Sequence, residues 1–424
     1  MRIKNKKGFI AIFITILIMI VVVSVGLGLS ILVVNSQRIL INAVSSKKVY
    51  YLTEIGVEDA LLRLRQNPQM TSFSYAFNLE GGTVNVGISD VLGGSRTILS
   101  SANIGSRIKK IKAVYTILSS EASFFYGVQV GEGGMEIGNN ARVKGNVFSN
   151  GTISSSNKGY IDNNVVVANN GNKIKNLEIG GDALSYSCEN CKITGDLTYV
   201  SGGTISGCIV SGSTFVRTEK INPEPLPIPE SQIINWKQEG LSGGVINNNV
   251  VYNSVTGSLG PVQIGTPSAP KNLEITNNAR VKITGTVYVT GNIIISNNAV
   301  LELDSGYGST SGVILADGRI TLKNNAILRG SGHPGSYVLI LSTNPSLDPS
   351  YPAILVGNNA QGAIFYTTSG LIYLSNNMKA REVTGYKIKI NNNAEVEYES
   401  GLQNVYFSSG PGGSWTIESW KVVE

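Results

Sequence analysis

Histidine and cysteine are scarce in this chain of 424 residues, which contains one His and three Cys. Metal centres and nucleophilic triads draw many of their side chains from these two residue types. The single histidine, His333, lies in the glycine-rich turn GSGHPGSY, which has no nucleophile elbow. We therefore expect no cofactor and no metal, and we predict that the protein is not an enzyme.

Carboxylates are also thinly spread over the repeats that follow residue 120. Hydrolysis of a glycosidic bond needs two carboxylates at a defined separation. Glu395-Val396-Glu397 is the one close pair, and a strand would place both carboxylates on the same face. Outward charges on an exposed strand explain this pair better than catalysis does. The scattered aspartates are Asp162, Asp182, Asp196, Asp304, Asp317 and Asp348.

Charged residues make up 15% of the chain and aromatic residues 7%. The formal charge is +6, but four cations lie in residues 1–8, and the rest of the chain has 30 Lys and Arg against 28 Asp and Glu. A nearly neutral chain attracts nucleic acid weakly, so we expect no nucleic-acid partner. A hydrophobic share of 42% with 49 Gly predicts a folded chain with many strands and turns.

An uncharged and strongly apolar segment runs from Phe9 to Val34, directly after a basic leader at 1–8 that contains Arg2, Lys4, Lys6 and Lys7. At about 1.5 Å per residue, a helix of this length crosses the roughly 30 Å hydrocarbon core. It is longer than the apolar region of a secretory signal peptide. We predict a single-pass transmembrane helix over 9–34, with a cytoplasmic N-terminus and the bulk of the chain outside the cell.

The helical pattern continues over 35–66 and ends at Asn67-Pro68, because proline disfavours helix in the residue before it. Four alternating segments follow, at 72–79, 83–88, 96–102 and 107–118, and glycine-containing turns separate them. We predict a small antiparallel meander over 72–118 that packs on the outer half of the helix. The apolar residues that recur at helical spacing are Ile41, Val44, Tyr51, Ile55 and Leu62.

The first 118 residues resemble a known family. KKGFIAIFITILIMIVVV is similar to the leader of type IV pilins and type II secretion pseudopilins, and KKVYYLTEIGVEDALLRL resembles the helix of PilX-like minor pilins. The resemblance implies that a prepilin peptidase cleaves after Gly8 and that Phe9 is methylated. It also implies that the helix packs with other pilin-like subunits in a pilus. Phe13 replaces the glutamate of major pilins at the fifth mature position, which suggests a minor subunit. An uncleaved signal anchor is the alternative.

A repeated Asn-Asn pair dominates the chain after residue 120. Successive pairs in the later part are 20, 27, 34, 18 and 16 residues apart, and apolar alternation flanks each one. Asparagine tolerates the left-handed conformation, and stacked side-chain amides form hydrogen-bonded ladders. The pattern predicts a parallel β-helix with an asparagine ladder at one corner. Its members are Asn139, Asn140, Asn277, Asn278, Asn297, Asn298, Asn324, Asn325, Asn358, Asn359, Asn376, Asn377, Asn392 and Asn393.

The β-helix has an internal break at 221–240, where Pro223, Pro225, Pro227 and Pro229 alternate with other residues. We expect an extended linker followed by a short helix that Ser231 caps. The break leaves sections at 120–220 and 241–424, and their stacking and handedness stay open. The ending SSGPGGSWTIESWKVVE, with Trp415 and Trp420, is expected to cap the last coil. Residues 127–424 also resemble bacterial surface proteins that join a PilX-like start to a β-helix.

The three cysteines are Cys188 and Cys191, in a C-x-x-C spacing, and Cys208. Three thiols fall short of a four-ligand zinc site, so a disulfide from Cys208 to one member of the pair is the leading interpretation outside the cell. Free buried thiols and a metal site are the alternatives.

The expected fold is α+β and then all-β, and the expected function is that of a membrane-anchored minor pilin or pseudopilin-like subunit that displays a β-helical stalk or adhesive module. A surface glycan or a protein is the expected ligand. The alternative is a signal-anchored β-helix that binds or acts on glycans and joins no filament. A third interpretation, polymerisation through the ends of the solenoid, conflicts with the expected aromatic cap.

Overall fold

The computed structural model describes residues 6–66, 72–89, 95–117, 119–138, 140–362, 364–411 and 415–423. Two compact units form, one from Met1–Asp90, Thr97–Val114 and Glu418–Glu424, the other from Val91–Arg96 and Tyr115–Ile417. The predicted fold class is confirmed, because a long apolar helix and a small antiparallel sheet are followed by a large set of parallel strands.

Helix α1 of the first unit spans Lys6–Gln66. Its first half is exposed all round, whereas one face of its second half is buried. The helix ends at the predicted place, and Asn67 and Pro68 lie outside the described residues. The buried face consists of Val49, Leu52, Val57, Ala60 and Leu64.

Five strands form the sheet of the first unit, and each neighbours the next. The fifth strand, Trp415–Val423, differs from prediction. It was expected to cap the solenoid, but it joins this sheet beside Arg107–Ile117. The edge of a sheet has unpaired backbone groups, and the alternating segment WTIESWKVV can pair with them. The strands are Phe73–Leu79, Gly82–Ile88, Ser95–Ile104, Arg107–Ile117 and Trp415–Val423.

The face of α1 that packs on this sheet also differs from the apolar stripe seen in the sequence. Small residues mediate the contact: a Cβ added at Gly56 would lie 2.2 Å from Ser100 Oγ and 2.8 Å from Val84 Cγ1. Thr53 Oγ1 hydrogen-bonds the carbonyl oxygen of Lys109 at 3.4 Å. The close approach at Gly56 therefore leaves no room for a side chain at that position, and the apolar stripe lies on the outside of the helix.

The second unit is a parallel β-helix whose coils have three strand-bearing faces. Face A carries the first strand of each coil, and its strands pair in parallel with those of the coils above and below. In stacking order, they are Val245–Ile246, Val262–Thr266, Val287–Val289, Gly312–Ala316, Val338–Ser342, Ile364–Leu374, Glu382–Ile390, Val128–Gly138, Val147–Ser149, Val165–Val167, Ala183–Ser185, Leu197–Val200 and Thr214–Arg217.

Faces B and C carry the second and third strands of each coil. The three long strands of face A continue onto face B. The other strands of face B are Val250–Asn253, Leu273–Thr276, Ile293–Ser296, Ile320–Lys323, Ile354–Val356, Ile153–Ile161, Lys173–Ile179, Ser187–Glu189 and Ile205–Ser206. Ile153–Ile161 and Lys173–Ile179 continue onto face C, whose other strands are Thr256–Leu259, Arg280–Ile283, Val300–Leu303, Ile327–Arg329, Lys379–Ala380, Glu395–Glu397, Arg142–Lys144, Lys192–Ile193 and Ile209–Val210.

The two sections of the β-helix stack into one solenoid, in an order that differs from the order of the chain. The coil at 382–397 pairs with the coil at 128–144 on all three faces. The chain therefore enters the solenoid in the middle, builds one half as far as Arg217, and then returns to the opposite end at Val245. Smaller elements complete the unit: the antiparallel pair Ser119–Ala122 and Val405–Ser408, the short strand Ala269–Pro270, and 3₁₀ turns at Ser305–Tyr307 and Ser400–Asn404.

The proline-rich linker and helix α2, Glu230–Ser242, follow the outside of face A on this return path. Gln129 Nε2 donates to the carbonyl oxygen of Pro225 at 2.8 Å, and Trp236 packs with Phe407 at a centroid distance of 5.5 Å. The helix begins two residues earlier than a cap at Ser231 predicts. Pro229 occupies the cap position without a side-chain cap bond, so Ser231 lies inside the first turn.

Candidate functional site

The predicted processing site, Gly8-Phe9, lies within the backbone of α1, and residues 1–5 of the leader lie outside the described residues. Among the described residues, one helix is long and apolar enough to cross a membrane. The large apolar side chains from Ile10 to Val34 are 45–68% exposed, and Phe13 is among them at 63%. This surface is suited to lipid or to other apolar helices.

The apolar stripe of the sequence continues this exposed surface beyond Val34. Its members are 38–60% exposed although polar residues surround them. The exposed stripe consists of Ile41, Val44, Tyr51, Ile55 and Leu62.

The predicted asparagine ladder is present as two parallel files of exposed side chains. Both residues of each described pair from Asn277 onwards have positive φ angles of 51–62°. In the first file, each Nδ2 donates to the Oδ1 of the preceding coil at 2.8–3.0 Å, from Asn277 on Asn253 through to Asn392 on Asn376. Asn140 also has a positive φ, at 61°, and Asn139 lies outside the described residues.

The residue that follows the corner turn is buried in the inner coils; asparagine precedes it in most coils, and Ser254, Lys158 and Gly207 precede it in the others. Strand register aligns these residues in a single file through both sections. Small residues predominate because the left-handed corner brings the backbone close to the interior. In stacking order, the corner file is Val255, Ala279, Ala299, Ala326, Ala360, Met378, Ala394, Ala141, Gly159, Leu177, Cys191 and Cys208.

Two of the three cysteines therefore occupy the alanine position of the corner. A disulfide joins Cys188 to Cys208 across adjacent coils, and Cys191 is a buried free thiol. The three sulfur atoms lie within 4.8 Å of one another. Burial raises the pKa of the Cys191 thiol, which disfavours the thiolate that a metal or an exchange reaction requires.

A second kind of side-chain ladder was missed in the sequence, and it occupies a different corner in each section. An Asn or Asp directly before a face A strand in the first section, or before a face B strand in the second, accepts a hydrogen bond from a backbone N–H of the next coil. Asn164 N donates to Asn146 Oδ1 at 3.2 Å, and Asp196 N donates to Asp182 Oδ1 at 2.8 Å. The sequence signal was available: Asn or Asp recurs immediately before an apolar strand. The acceptors are Asn146, Asn164, Asp182, Asp196, Asn249, Asn272 and Asn292.

The Glu395 and Glu397 pair lies in a groove of about 470 Å³ on face C. Both carboxylates share the outward face, and Lys144 Nζ lies 2.8 Å from Glu395 and 3.9 Å from Glu397. Arg381 and Glu399 pair at 3.5 Å in the same groove. Burial, and then a hydrogen bond to Glu399, raise the pKa of Tyr337 to about 12. The groove thus presents paired charges of both signs to solvent.

The six aspartates that the sequence singled out all have structural partners. Asp162 accepts from Arg142 at 2.7 Å, and Asp317 accepts from Lys237 and Tyr288 at 2.5 Å each. Asp304 caps a 3₁₀ turn, Asp348 accepts from Ser350 N, and Asp182 and Asp196 belong to the second ladder. His333 is exposed, beside a separate cavity on face C that Lys282 and Glu302 also line.

One buried carboxyl lies at the joint between the two sections. Glu382 is fully buried, its Oε1 accepts from the Thr384 hydroxyl, and its Oε2 has no partner among the described residues. Burial raises the pKa of Glu382 well above its ordinary value.

Neither a protein-family model nor a curated protein sequence matches the chain. Among solved structures, the chain is similar to the competence-associated pilin ComZ from Thermus thermophilus, with 10% identity, a TM-score of 0.27 and coverage of 89% of this chain and 97% of ComZ. It is also similar to an ice binding protein from an Antarctic bacterium, Flavobacteriaceae, with 11% identity, a TM-score of 0.20 and coverage of 65% and 82%. At these TM-scores we base no argument on either likeness.

Proposed function

We propose that the protein is a membrane-anchored, minor pilin-like subunit that carries a non-enzymatic β-helical module on the outside of the cell. The basic leader, the Gly8-Phe9 junction and the uncharged span from Phe9 to Val34 support insertion and processing. In this proposal a prepilin peptidase acts on Gly8, and other pilin-like subunits pack against α1.

The exposed stripe carries the proposal. A simple membrane anchor needs apolar surface only as far as the lipid extends, about 20 residues of helix. In α1 the apolar surface continues to Leu62, on the side of the helix that does not pack on the sheet. Apolar side chains at this spacing are typical of a helix that packs on other helices.

Phe13 supports a minor role within such a filament. A buried carboxylate is costly unless a charged neighbour pairs with it, and this chain has a phenyl ring at that position instead. The subunit would therefore join a filament without contributing an ion pair from position 13.

The test compares two substitutions on the same part of α1 in cells that make filaments. Val44→Arg adds a charge to the exposed stripe, and Ser46→Arg adds the same charge at an exposed position off the stripe. We expect both variants in the membrane fraction and only Ser46→Arg in sheared extracellular filaments. Recovery of the unaltered protein from detergent-solubilised membranes alone would contradict the proposal.

The groove on face C favours a second candidate, a signal-anchored surface protein that binds glycans and enters no filament. Its mixed charges and half-exposed walls can accept hydroxyl groups and charged sugars. Glycan array binding that Glu395→Gln abolishes, together with absence from filaments, would favour this candidate.

A further inference from the structure

Among the strands that the structure describes, none pairs with the outer edge of either end of the β-helix. The lower end is the coil at 245–259, and the upper end consists of the strands at 205–217. Core-facing residues at both ends are exposed, with Ile246 at 36%, Ile205 at 38% and Val216 at 59%. The tail that the sequence predicted as a cap is part of the antiparallel sheet instead, so it does not pair with either end.

The two ends also lack the charged residues that usually protect strand edges. The lower coil, VINNNVVYNSVTGSL, has no charged residue, and the upper segment, ISGCIVSGSTFVR, has only Arg217. Natural proteins guard exposed edges with lysines, prolines or covering elements, because unpaired backbone groups accept any matching strand. Nothing in the charge of either end opposes contact with the other.

The chain itself contains the kind of joint that the two ends could form. The coil at 382–397 stacks on the coil at 128–144 through parallel ladders on three faces, although about 240 residues of chain separate the two strands of face A. Val383 N donates to Gly127 O at 3.1 Å, and Lys144 pairs with Glu395 at 2.8 Å across this joint. Coils of this β-helix therefore stack without a direct chain connection.

The free ends have the same three faces and the same strand direction as this internal joint. The upper end lacks a following coil and the lower end lacks a preceding one, so the two are geometrically complementary. From this we infer that the upper end of one copy stacks on the lower end of a second copy, head to tail. Such a contact uses two different surfaces and can propagate along a row of subunits. The inference rests on the β-helix alone and does not depend on the proposed pilin-like function.

The test uses the full chain in detergent, with one end altered at a time. Val216→Lys charges the upper end and Ile246→Lys charges the lower end. Ile234→Lys, at a 48% exposed position of α2, is the matched control. Sedimentation measures the association, and thermal melting together with a count of one free thiol verifies the fold. If a lysine variant fails to fold, Val216→Thr or Ile246→Thr replaces it with the same expectation.

We expect the unaltered chain and the control to form dimers and longer rows as concentration rises. Each end variant alone should associate at least about tenfold more weakly, a loss of roughly 1.4 kcal/mol or more. An equal mixture of the two variants should form dimers and nothing longer, because each variant retains one intact end.

Three results would overturn the inference. The first is an unaltered chain that stays monomeric at every concentration. The second is association that is the same in all variants, which would indicate contact through α1. The third is a single end variant that dimerises as well as the mixture does, which would indicate a two-fold contact between like ends.

Discussion

The two halves of the solenoid share one cross-section but hold their coils together differently. From Asn277 to Asn393, double asparagines at the corner link coil to coil through side-chain amides. From Arg142 to Arg217, the corner has single left-handed residues, such as Asn176, Asn190 and Gly207. There, ion pairs and a disulfide connect neighbouring coils instead.

The two halves share one feature of the corner and differ in another. In most described coils a residue with positive φ turns the corner, and the residue after it fits the space beside the core. The amide file is one of several ways to add contacts along the axis. In the first half, Lys173 and then Lys175 hold the pKa of Glu189 below its ordinary value. These ion pairs link face B of one coil to face B of the next.

The largest expected effect is at Leu177, which fills the corner beside Gly159. A Cβ at Gly159 would lie 2.5 Å from Ile137 Cγ2 of the coil before it, and Leu177 is the register partner of Gly159 in the coil after it. Leu177→Ala should lower the free energy of unfolding by about 2–5 kcal/mol, because the cavity has no neighbour to fill it. Denaturant titration in detergent measures this. A loss below that of Ala299→Gly would contradict the account of the corner.

The disulfide should have the next largest effect, and only in the first half. Cys208→Ser, or reduction of the unaltered chain, should lower stability by about 3 kcal/mol, since the bond closes a 20-residue loop in the unfolded chain. Cys191→Ala is the control, because alanine occupies that corner position in most other coils. Equal unfolding midpoints with and without reductant would refute the prediction.

The joint between the halves should respond to pH through Glu382. Because its pKa is raised on folding, the folded state binds more protons than the unfolded state above the ordinary pKa, so this residue's contribution to stability falls as pH rises. Glu382→Gln should match the unaltered chain at pH 4 and exceed it by about 1–3 kcal/mol at pH 8. Parallel stability curves for the two proteins would show that Glu382 does not titrate in this way.

The smallest effect separates the two roles of the asparagines. Asn324→Ala removes two side-chain hydrogen bonds of the file. It also places alanine at a φ of 55°, a conformation that asparagine tolerates better than alanine does. Asn324→Gly keeps the backbone conformation and loses only these two side-chain hydrogen bonds. We expect losses of about 2 and about 1 kcal/mol respectively, by thermal melting. Asn190→Gly, outside the double file, should cost less than Asn324→Gly; the reverse order would contradict the comparison.

Local patterns predicted the elements of the chain well. Alternation and glycine turns gave the meander to within a few residues, because its contacts join neighbours in sequence. The Asn-Asn pairs predicted the left-handed corners, since that property belongs to the residue itself. The second ladder could also have been found, because Asn or Asp directly precedes strand after strand in both sections.

Long-range packing decided what the sequence could not reveal. Which side of α1 packs depends on how closely Gly56 approaches Ser100, and no periodicity encodes that distance. The order of the coils depends on the pairing of the 382–397 coil with the 128–144 coil across most of the chain. The cysteine partner was open because both Cys188 and Cys191 lie one coil from Cys208.

The most direct test of the proposed function is the mass of the N-terminal peptide after expression with a prepilin peptidase. Gly8→Val is the blocked variant, and Gly26→Val is its control, because a side chain at Gly26 has open space around it. The proposal predicts a methylated N-terminus at Phe9 in the unaltered chain and in Gly26→Val, and an intact leader in Gly8→Val. An intact Met1 in the unaltered protein would contradict it.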